Sequence, residues 1–372
     1  MNFGILKEEA PSERRVALAP AGVQSLTKMN HVVYVEHHAG SQALFSDEEY
    51  REAGAVICYT SEEVINRSDI VLKISHPTTE FIGRLGSGQS VFSFLHLAVS
   101  QRKNVEALLE RKVTAVAYEL IEDPRGDLAI LQVMSEIAGQ QSIQVAAHFL
   151  QAREGGRGIL LGNIPGVPPA SVVVLGAGTV GTTATRVAVG LGADVTVLDN
   201  DLGRLRNLCS PNVLRVNTWV ANSYNVARAV RYADVVIGAV LLKGEKAPHL
   251  VTEDMVRQMK VGSIIVDVSV DQGGCVETSR PTTLEDPVFI RHGVVHYCVP
   301  NMTAAVPRTA TSGLTNAVLP YLLEIGQSGL TEGLRANPGL GKGVCTYNGS
   351  CTHRGVAKAL DLKAKELTSL LK

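Results

Sequence analysis

Short apolar runs alternate along the chain with stretches whose apolar residues recur at helical spacing. "FGIL" and "VVYVE" read as strands, and "PAGVQSLTKMN" between them as a helix opened by proline. "SDEEYREAGA" has Ser46 at an N-cap position and Gly54 near its end, which predicts another helix. "IVLKIS", "SVFSFLHL" and "TAVAYELI" predict three further strands, with "SQRKNVEALLERK" a helix after the second of them. This alternation predicts a parallel, doubly wound α/β domain. A long helix from about Leu131 to Arg153 then carries the chain into a second series. "GGRGILLGNIPGVPPA" is rich in glycine and proline and reads as a loop or hairpin. After it, "SVVVLGAG", "DVTVLDN", "LRVNT", "ADVVIGAV", "GSIIVDVS" and "GVVHYC" are short and β-branched, as strands buried on both faces should be. From about Thr309 to Lys372 the pattern predicts mostly helix, including "TNAVLPYLLEIGQ" and "VAKALDLKAKELTSLLK".

Composition narrows the class. A chain of 372 residues is long for a single core, so two domains are expected. Hydrophobic residues at 45% and charged ones at 19% suit a globular enzyme. Lys and Arg number 35 against 36 Asp and Glu, which leaves no basic surplus for a nucleic-acid partner. "MNFGILKEEAPSERR" has no basic segment ahead of an apolar core, and no uncharged apolar run reaches the ~18 residues of a membrane span. Cys58, Cys209, Cys275, Cys298, Cys345 and Cys351 are scattered and form no CxxC. Reduced thiols in the cytoplasm are expected, with no metal site and no disulfide scaffold.

The most informative stretch is "VVVLGAGTVGTTATRVAVGLGADVTVLDND". Gly176-x-Gly178-x-x-Gly181 follows a buried strand and opens a helix, the arrangement that cradles a pyrophosphate. One glycine serves the tight turn, one the close approach of phosphate, one the packing of helix on strand. The helix N-terminus supplies free N–H groups and partial positive charge. Asp199 ends the next strand, where its carboxylate would accept from ribose hydroxyls and repel a 2′-phosphate, so NAD is expected over NADP. The same residues also fit a purely structural turn with Asp199 as a helix cap.

Other residues suggest chemistry less specifically. Arg15 could grip a carboxylate with two parallel hydrogen bonds, or be a solvated surface charge. His96 ends an apolar run, where it could act as acid and base near neutrality or be a hydrogen-bonded structural residue. Asp271 opens "DQGG" and could orient water or simply form a turn.

Taken together, "KEEAPSERRVALAP", "FSFLHLA", "MSEIAG", "GGRG", "LGAGTVG", "GAVLLKGEKAP", "VDVSVDQGGCVETSRPTT" and "YCVPNMTAAVPRTAT" resemble the alanine dehydrogenase and transhydrogenase superfamily over essentially the full length. The resemblance implies a Rossmann NAD domain (131–304) inserted in a discontinuous substrate domain (1–130 and 305–372), and a homo-oligomer, expected to be a hexamer. It implies NAD-dependent oxidative deamination of L-alanine to pyruvate and ammonia, and the reverse, within amino-acid catabolism. Arg15 would then bind the substrate carboxylate, with Ser75, His96 and Asn301 as further substrate contacts. His96 and Asp271 would be catalytic. Ser135, Gly176, Gly178, Thr179, Val180, Gly181, Asp199, Arg204, Val240, Val268, Asp271, Val299, Asn301 and Met302 would line the cofactor.

One departure stands out. The chain reads Lys73-Ile74-Ser75-His76-Pro77, with Ser75 where the family has a substrate-binding lysine and His76 in place of the neighbouring acid. Gln140 likewise stands where arginine is usual. An uncharged serine cannot polarise a 2-oxo group as an ammonium does, a loss of order a few kcal/mol in the transition state. Lys73 is not expected to substitute, since on a strand it would share a face with Ser75 but lie ~7 Å away. Three readings are open: a weakened or compensated alanine dehydrogenase, a dehydrogenase of another 2-oxo acid or larger amine (opine- or saccharopine-like), or an NAD(H)-binding homologue without activity.

Overall fold

The computed structural model describes residues 1–209, 216–240 and 248–371. In chain order its strands are β1 (Asn2–Ile5), β2 (Val32–Glu36), β3 (Val56–Cys58), β4 (Ile70–Leu72), β5 (Ser90–Ser93), β6 (Thr114–Ala117), β7 (Ser171–Leu175), β8 (Asp194–Asp199), β9 (Asn217–Val220), β10 (Val235–Gly238), β11 (Ile264–Asp267), β12 (Val288–Arg291), β13 (Val294–Tyr297), β14 (Val344–Tyr347) and β15 (Ser350–Cys351). The chain divides into two compact units, Met1–Met134 with Ala304–Lys372, and Ser135–Thr303. The first division falls inside the helix Ala129–Phe149.

In the first unit the sheet order is β15-β14-β6-β5-β4-β1-β2-β3. Strands β1 to β6 are parallel, while β14 runs antiparallel to β6 and β15 to β14. In the second unit the order is β12-β13-β11-β10-β7-β8-β9, parallel except for β12. The first strand of each series thus lies centrally, and the winding reverses beside it, between β1 and β4 and between β7 and β10. Sheets wound this way open a crevice at the carboxyl ends of the strands where the direction reverses. Near-continuous burial of β4 to β7, β10 and β11 follows from helices covering both faces. Among the described residues, no helix is long and apolar enough to cross a membrane.

The strands end earlier than their apolar runs. "SVFSFLHL" is a strand only to Ser93, because the Leu95 and His96 N–H groups leave the ladder for the Glu119 carboxylate. "IVLKIS" stops at Leu72, because the Ile74 and Ser75 N–H groups turn to Glu8. The strand alternation expected to place Lys73 and Ser75 on one face therefore does not exist. In "LRVNT", Leu214 and Arg215 lie outside the described residues, as does 241–247 of "GAVLLKGEKAP", and the strand is β9. The C-terminal tail is less helical than expected. Tyr347-Asn348-Gly349-Ser350 makes a tight turn with φ of 44° at Asn348 and 75° at Gly349, so β14 and β15 form a hairpin. The helix expected over "VAKALDLKAKELTSLLK" breaks at Leu360, and Lys365 instead donates to the Cys351 carbonyl at 2.9 Å.

A buried histidine sets an acid limit on the second unit. On β13, His296 donates from Nδ1 to the Val294 carbonyl at 3.0 Å and meets Thr278 Oγ1 through Nε2 at 2.8 Å. Burial pushes its pKa down to about 4. The unfolded chain, with an ordinary imidazole, takes up the proton first as pH falls, so stability present above about pH 6.5 is lost towards pH 4. Urea unfolding should show a His296-dependent loss of about 2 kcal/mol between about pH 7 and pH 5, and His296→Gln should flatten that part of the profile.

Candidate active site

Each unit gathers its candidate residues at the carboxyl ends of its central strands. In the first unit, Arg15 lies on the long loop after β1 and is 4% exposed, which excludes the solvated surface charge. Its Nε and Nη2 donate to the two Glu13 oxygens at 2.7 and 2.6 Å, and its Nη1 lies 3.4 Å from Met134 Sδ. Glu13 thus occupies the Nε–Nη2 edge. The guanidinium carbon sits 5.9 Å from the centre of the Phe94 ring, and the His96 ring stacks near that same phenyl at 6.3 Å and 14°. Phe94 therefore brings Arg15 and His96 to one place.

His96 adopts a left-handed backbone, φ 45° and ψ 37°, which is uncommon for a residue with a side chain. Glu119, just after β6, sustains it by accepting the His96 N–H at 2.7 Å and the Leu95 N–H at 3.2 Å. The same carboxylate lies 3.8 Å from His96 Nδ1, within ion-pair reach of the half-exposed imidazole but beyond a hydrogen bond. Two buried hydroxyls in this region, Ser93 on β5 and Tyr118 beside Phe94, have no hydrogen-bond partner among the described residues.

Lys73 is buried, its ammonium 3.6 Å from Glu8 and 4.9 Å from the centre of the Phe81 ring. Glu8 also takes the backbone N–H of Ser75, leaving Ser75 half-buried and His76 exposed. His76 and His96 line a common open cavity of about 740 Å³ with Glu9, Ser100 and Lys103, but neither Arg15 nor Ser75 lines it. Glu8, Glu13, Glu119 and Phe94 were not singled out in the sequence, although "KEEAPSERR" displays the first two beside Arg15.

In the second unit, the three glycines divide their tasks as the motif requires. Gly176 has φ 103°, and a Cβ there would come 2.4 Å from the Ala239 carbonyl oxygen. At Gly181 a Cβ would strike the Gly176 carbonyl oxygen at 1.8 Å, so the helix Thr179–Gly190 can sit this close to β7 only without a side chain. Gly178 is the N-cap, and a Cβ there would meet nothing within 4 Å, leaving open space at the helix N-terminus. This space, bordered by exposed Thr179 and half-buried Val180, fits a pyrophosphate. Asp199 accepts the Ala177 N–H at 2.7 Å and the Asp201 N–H at 2.8 Å, with Arg204 Nη1 at 3.7 Å. The cap of the following helix is Asp201, not Asp199. Ser135 sits one turn ahead of Gly139, whose missing Cβ lets it approach the Val180 carbonyl.

Asp271 lies on the turn after β11 and is exposed, accepting the Asn301 N–H at 3.2 Å. Asn301 is left-handed at φ 53°, and Met302 beside it is buried. Val240 donates to Ser269 Oγ at 2.9 Å, which joins the loops after β10 and β11; Val268 and Val299 are the first and second residues past β11 and β13. Beneath them Asp267, 1% exposed, accepts from the backbone of Ser269, Cys275 and Val276 and from the Ser279 hydroxyl at 2.7 Å. Burial pushes its carboxyl pKa up, against the pull of those donors. The sequence offered no sign of this aspartate, because its partners come from four positions up to twelve residues on.

Comparison with known proteins extends these clusters to a family. Residues 4–138 match the family model for the alanine dehydrogenase/PNT N-terminal domain, and residues 142–354 that for the C-terminal domain. Alanine dehydrogenase 2 of Staphylococcus aureus (strain USA300) is 46% identical over 372 residues, all of both chains. Alanine dehydrogenase of Mycobacterium tuberculosis (strain CDC 1551 / Oshkosh) is 45% identical over 371 residues, again covering 100% of each. A solved L-alanine dehydrogenase superposes with TM-score 0.92 at 42% identity, over 97% of this chain and 99% of that one.

The glycine geometry separates binding from stability. Gly178→Ala should leave the melting temperature near its native value while weakening dinucleotide binding at least tenfold, about 1.4 kcal/mol. Gly181→Ala should lower stability by about 1–3 kcal/mol through overpacking. Thermal melts and fluorescence titration with dinucleotide check both.

Proposed function

The chain belongs to the alanine dehydrogenase and transhydrogenase family, and from that premise we propose that it is an NAD-dependent amino-acid dehydrogenase acting on L-alanine. The observation that carries this reading is the buried Arg15 beside His96, both held at one phenyl ring. The balanced reaction is L-alanine, NAD⁺ and water to pyruvate, ammonium, NADH and a proton. Bound NAD would supply the two-electron acceptor. Gly176, Gly178, Thr179, Val180 and Gly181 would hold its pyrophosphate, Asp199 its ribose, and Ser135, Arg204, Val240, Val268, Val299, Asn301 and Met302 the remainder. The second unit is accordingly the cofactor domain and the first the substrate domain.

Arg15 would hold the substrate carboxylate. His96 would accept a proton from the hydroxyl of the carbinolamine as ammonia departs, and return it in the reverse direction. Asp271 would orient the water that adds to the iminium, and Asn301, bonded to Asp271, would steady that turn and contact substrate. A homohexamer, a cytoplasmic location and a place in amino-acid catabolism complete the proposal.

Ser75 favours a second reading, in which the preferred 2-oxo acid or amine is larger than pyruvate or ammonia. Lys73 does not restore the missing cation, since its ammonium already neutralises Glu8. NADH consumption with pyruvate and ammonium, alongside a panel of 2-oxo acids and amines, distinguishes the two. Turnover with no member of the panel, despite NADH binding, overturns the enzyme reading. His96→Ala should cost roughly 10²–10⁴-fold in kcat, and Asp271→Asn should also lower kcat more than it changes KM. Ser75→Lys should raise kcat/KM for pyruvate by about tenfold or more if the native substrate lies elsewhere.

A further inference from the structure

Away from all of these residues, the turn after β2 places two adjacent imidazoles against one carboxylate. His37 Nδ1 lies 2.5 Å and His38 Nδ1 3.6 Å from Asp47 Oδ2, and one ligand atom from each of the three residues falls within 4.8 Å of the others. The two rings stack at 3.6 Å between centroids. Nothing in the dehydrogenase chemistry uses them.

An ordinary histidine–aspartate ion pair does not account for the geometry. His37 Nδ1 is sealed from solvent, yet it makes no well-aligned hydrogen bond even though Asp47 Oδ2 is so close. The carboxylate oxygen therefore lies off the line along which a ring N–H would point. Off-axis neighbours are what two ligands of one cation become, because each lone pair aims at the metal and not at the other ligand. In a tetrahedral site with bonds of ~2.0–2.1 Å, ligand atoms stand ~3.3 Å apart, so the 2.5 and 3.6 Å separations from Asp47 Oδ2 need change by less than an ångström.

The surroundings pre-organise the three groups. His38 is left-handed at φ 62°, which brings its ring to the same side as its neighbour's. Its backbone N–H donates to Asp47 Oδ1 at 2.9 Å, orienting the carboxylate so that Oδ2 faces the imidazoles, the outer-shell support that metal-binding acids have. Tyr59 packs on the His37 ring at 5.1 Å. Asp47 is 10% exposed and His38 59%, so the cluster is closed on one side and open to water on the other.

We propose that His37, His38 and Asp47 bind one divalent transition-metal ion, of the class that prefers imidazole and carboxylate, with water completing the shell. The ion would clip the end of β2 to the start of the helix Asp47–Glu52.

The test uses the tag-free full chain, with Zn²⁺ and Co²⁺ as probes. Calorimetry should find one Zn²⁺ per chain, Zn²⁺ should raise the melting temperature, and Co²⁺ should show visible d–d bands. His37→Ala and His38→Asn should each weaken Zn²⁺ binding by at least about tenfold and abolish the thermal shift. Asparagine tolerates the left-handed backbone, so His38→Asn keeps the test valid if His37→Ala unfolds. Cys209→Ser, which removes the one exposed thiol, should leave binding unchanged. Binding unaffected by His38→Asn, or no saturable binding by the folded native chain, overturns the proposal.

Discussion

A carboxylate withdrawn from water must find hydrogen-bond donors nearby, and in this protein the donors are the backbone N–H groups of the loops that carry the candidate residues. Glu8 takes Ile74 and Ser75, Glu13 takes Arg15, and Glu119 takes Leu95 and His96. Asp199 takes Ala177 and Asp201, and Asp267 takes Ser269, Cys275 and Val276. Glu8, Glu119, Asp199 and Asp267 sit at or just beyond a strand end, and Glu13 lies on the long loop after β1. There the sheet no longer supplies partners, and a charge without donors would be strongly destabilising. The loops are thus shaped from below by five acids whose own solvation depends on them.

This dependence explains how two candidate residues occupy unusual backbone. His96 and Asn301 are both left-handed without being glycine, a conformation of order 1–3 kcal/mol above the ordinary one. In each case the residue's own N–H is bound by an acid, Glu119 for His96 and Asp271 for Asn301. A charge-assisted bond of this kind is worth enough to hold the turn.

The first unit also matches its buried cations one to one. Arg15 is held by Glu13 and Lys73 by Glu8, so burying either charge does not leave it alone. A neutral serine at position 75 adds no third cation, and Lys73 cannot leave Glu8 without exposing a buried carboxylate. In the proposed reaction the acyl side of the substrate is therefore the part with fewest charged partners, while Arg15 and His96 remain available for the roles proposed for them.

Much of this was legible in the chain alone. The alternation of β-branched runs with amphipathic helices determined two parallel α/β series, since period and order are local properties. Gly176, Gly178 and Gly181, with Asp199 at the next strand end, determined a tight glycine turn into a helix N-terminus, because all four lie within one strand-turn-helix-strand unit. Where strands stop was a tertiary matter: "FSFLHL" and "LKIS" are apolar enough to continue, and only Glu119 and Glu8, arriving from other segments, draw their N–H groups away. The turn "YNGS" falls where the pattern predicted helix, and the pairing of its strand with β6 depends on a segment over two hundred residues earlier. Arg15 is the clearest case. Its type and neighbours permitted a solvated surface charge, and only the fold, by burying it against Glu13, Met134 and Phe94, excluded that.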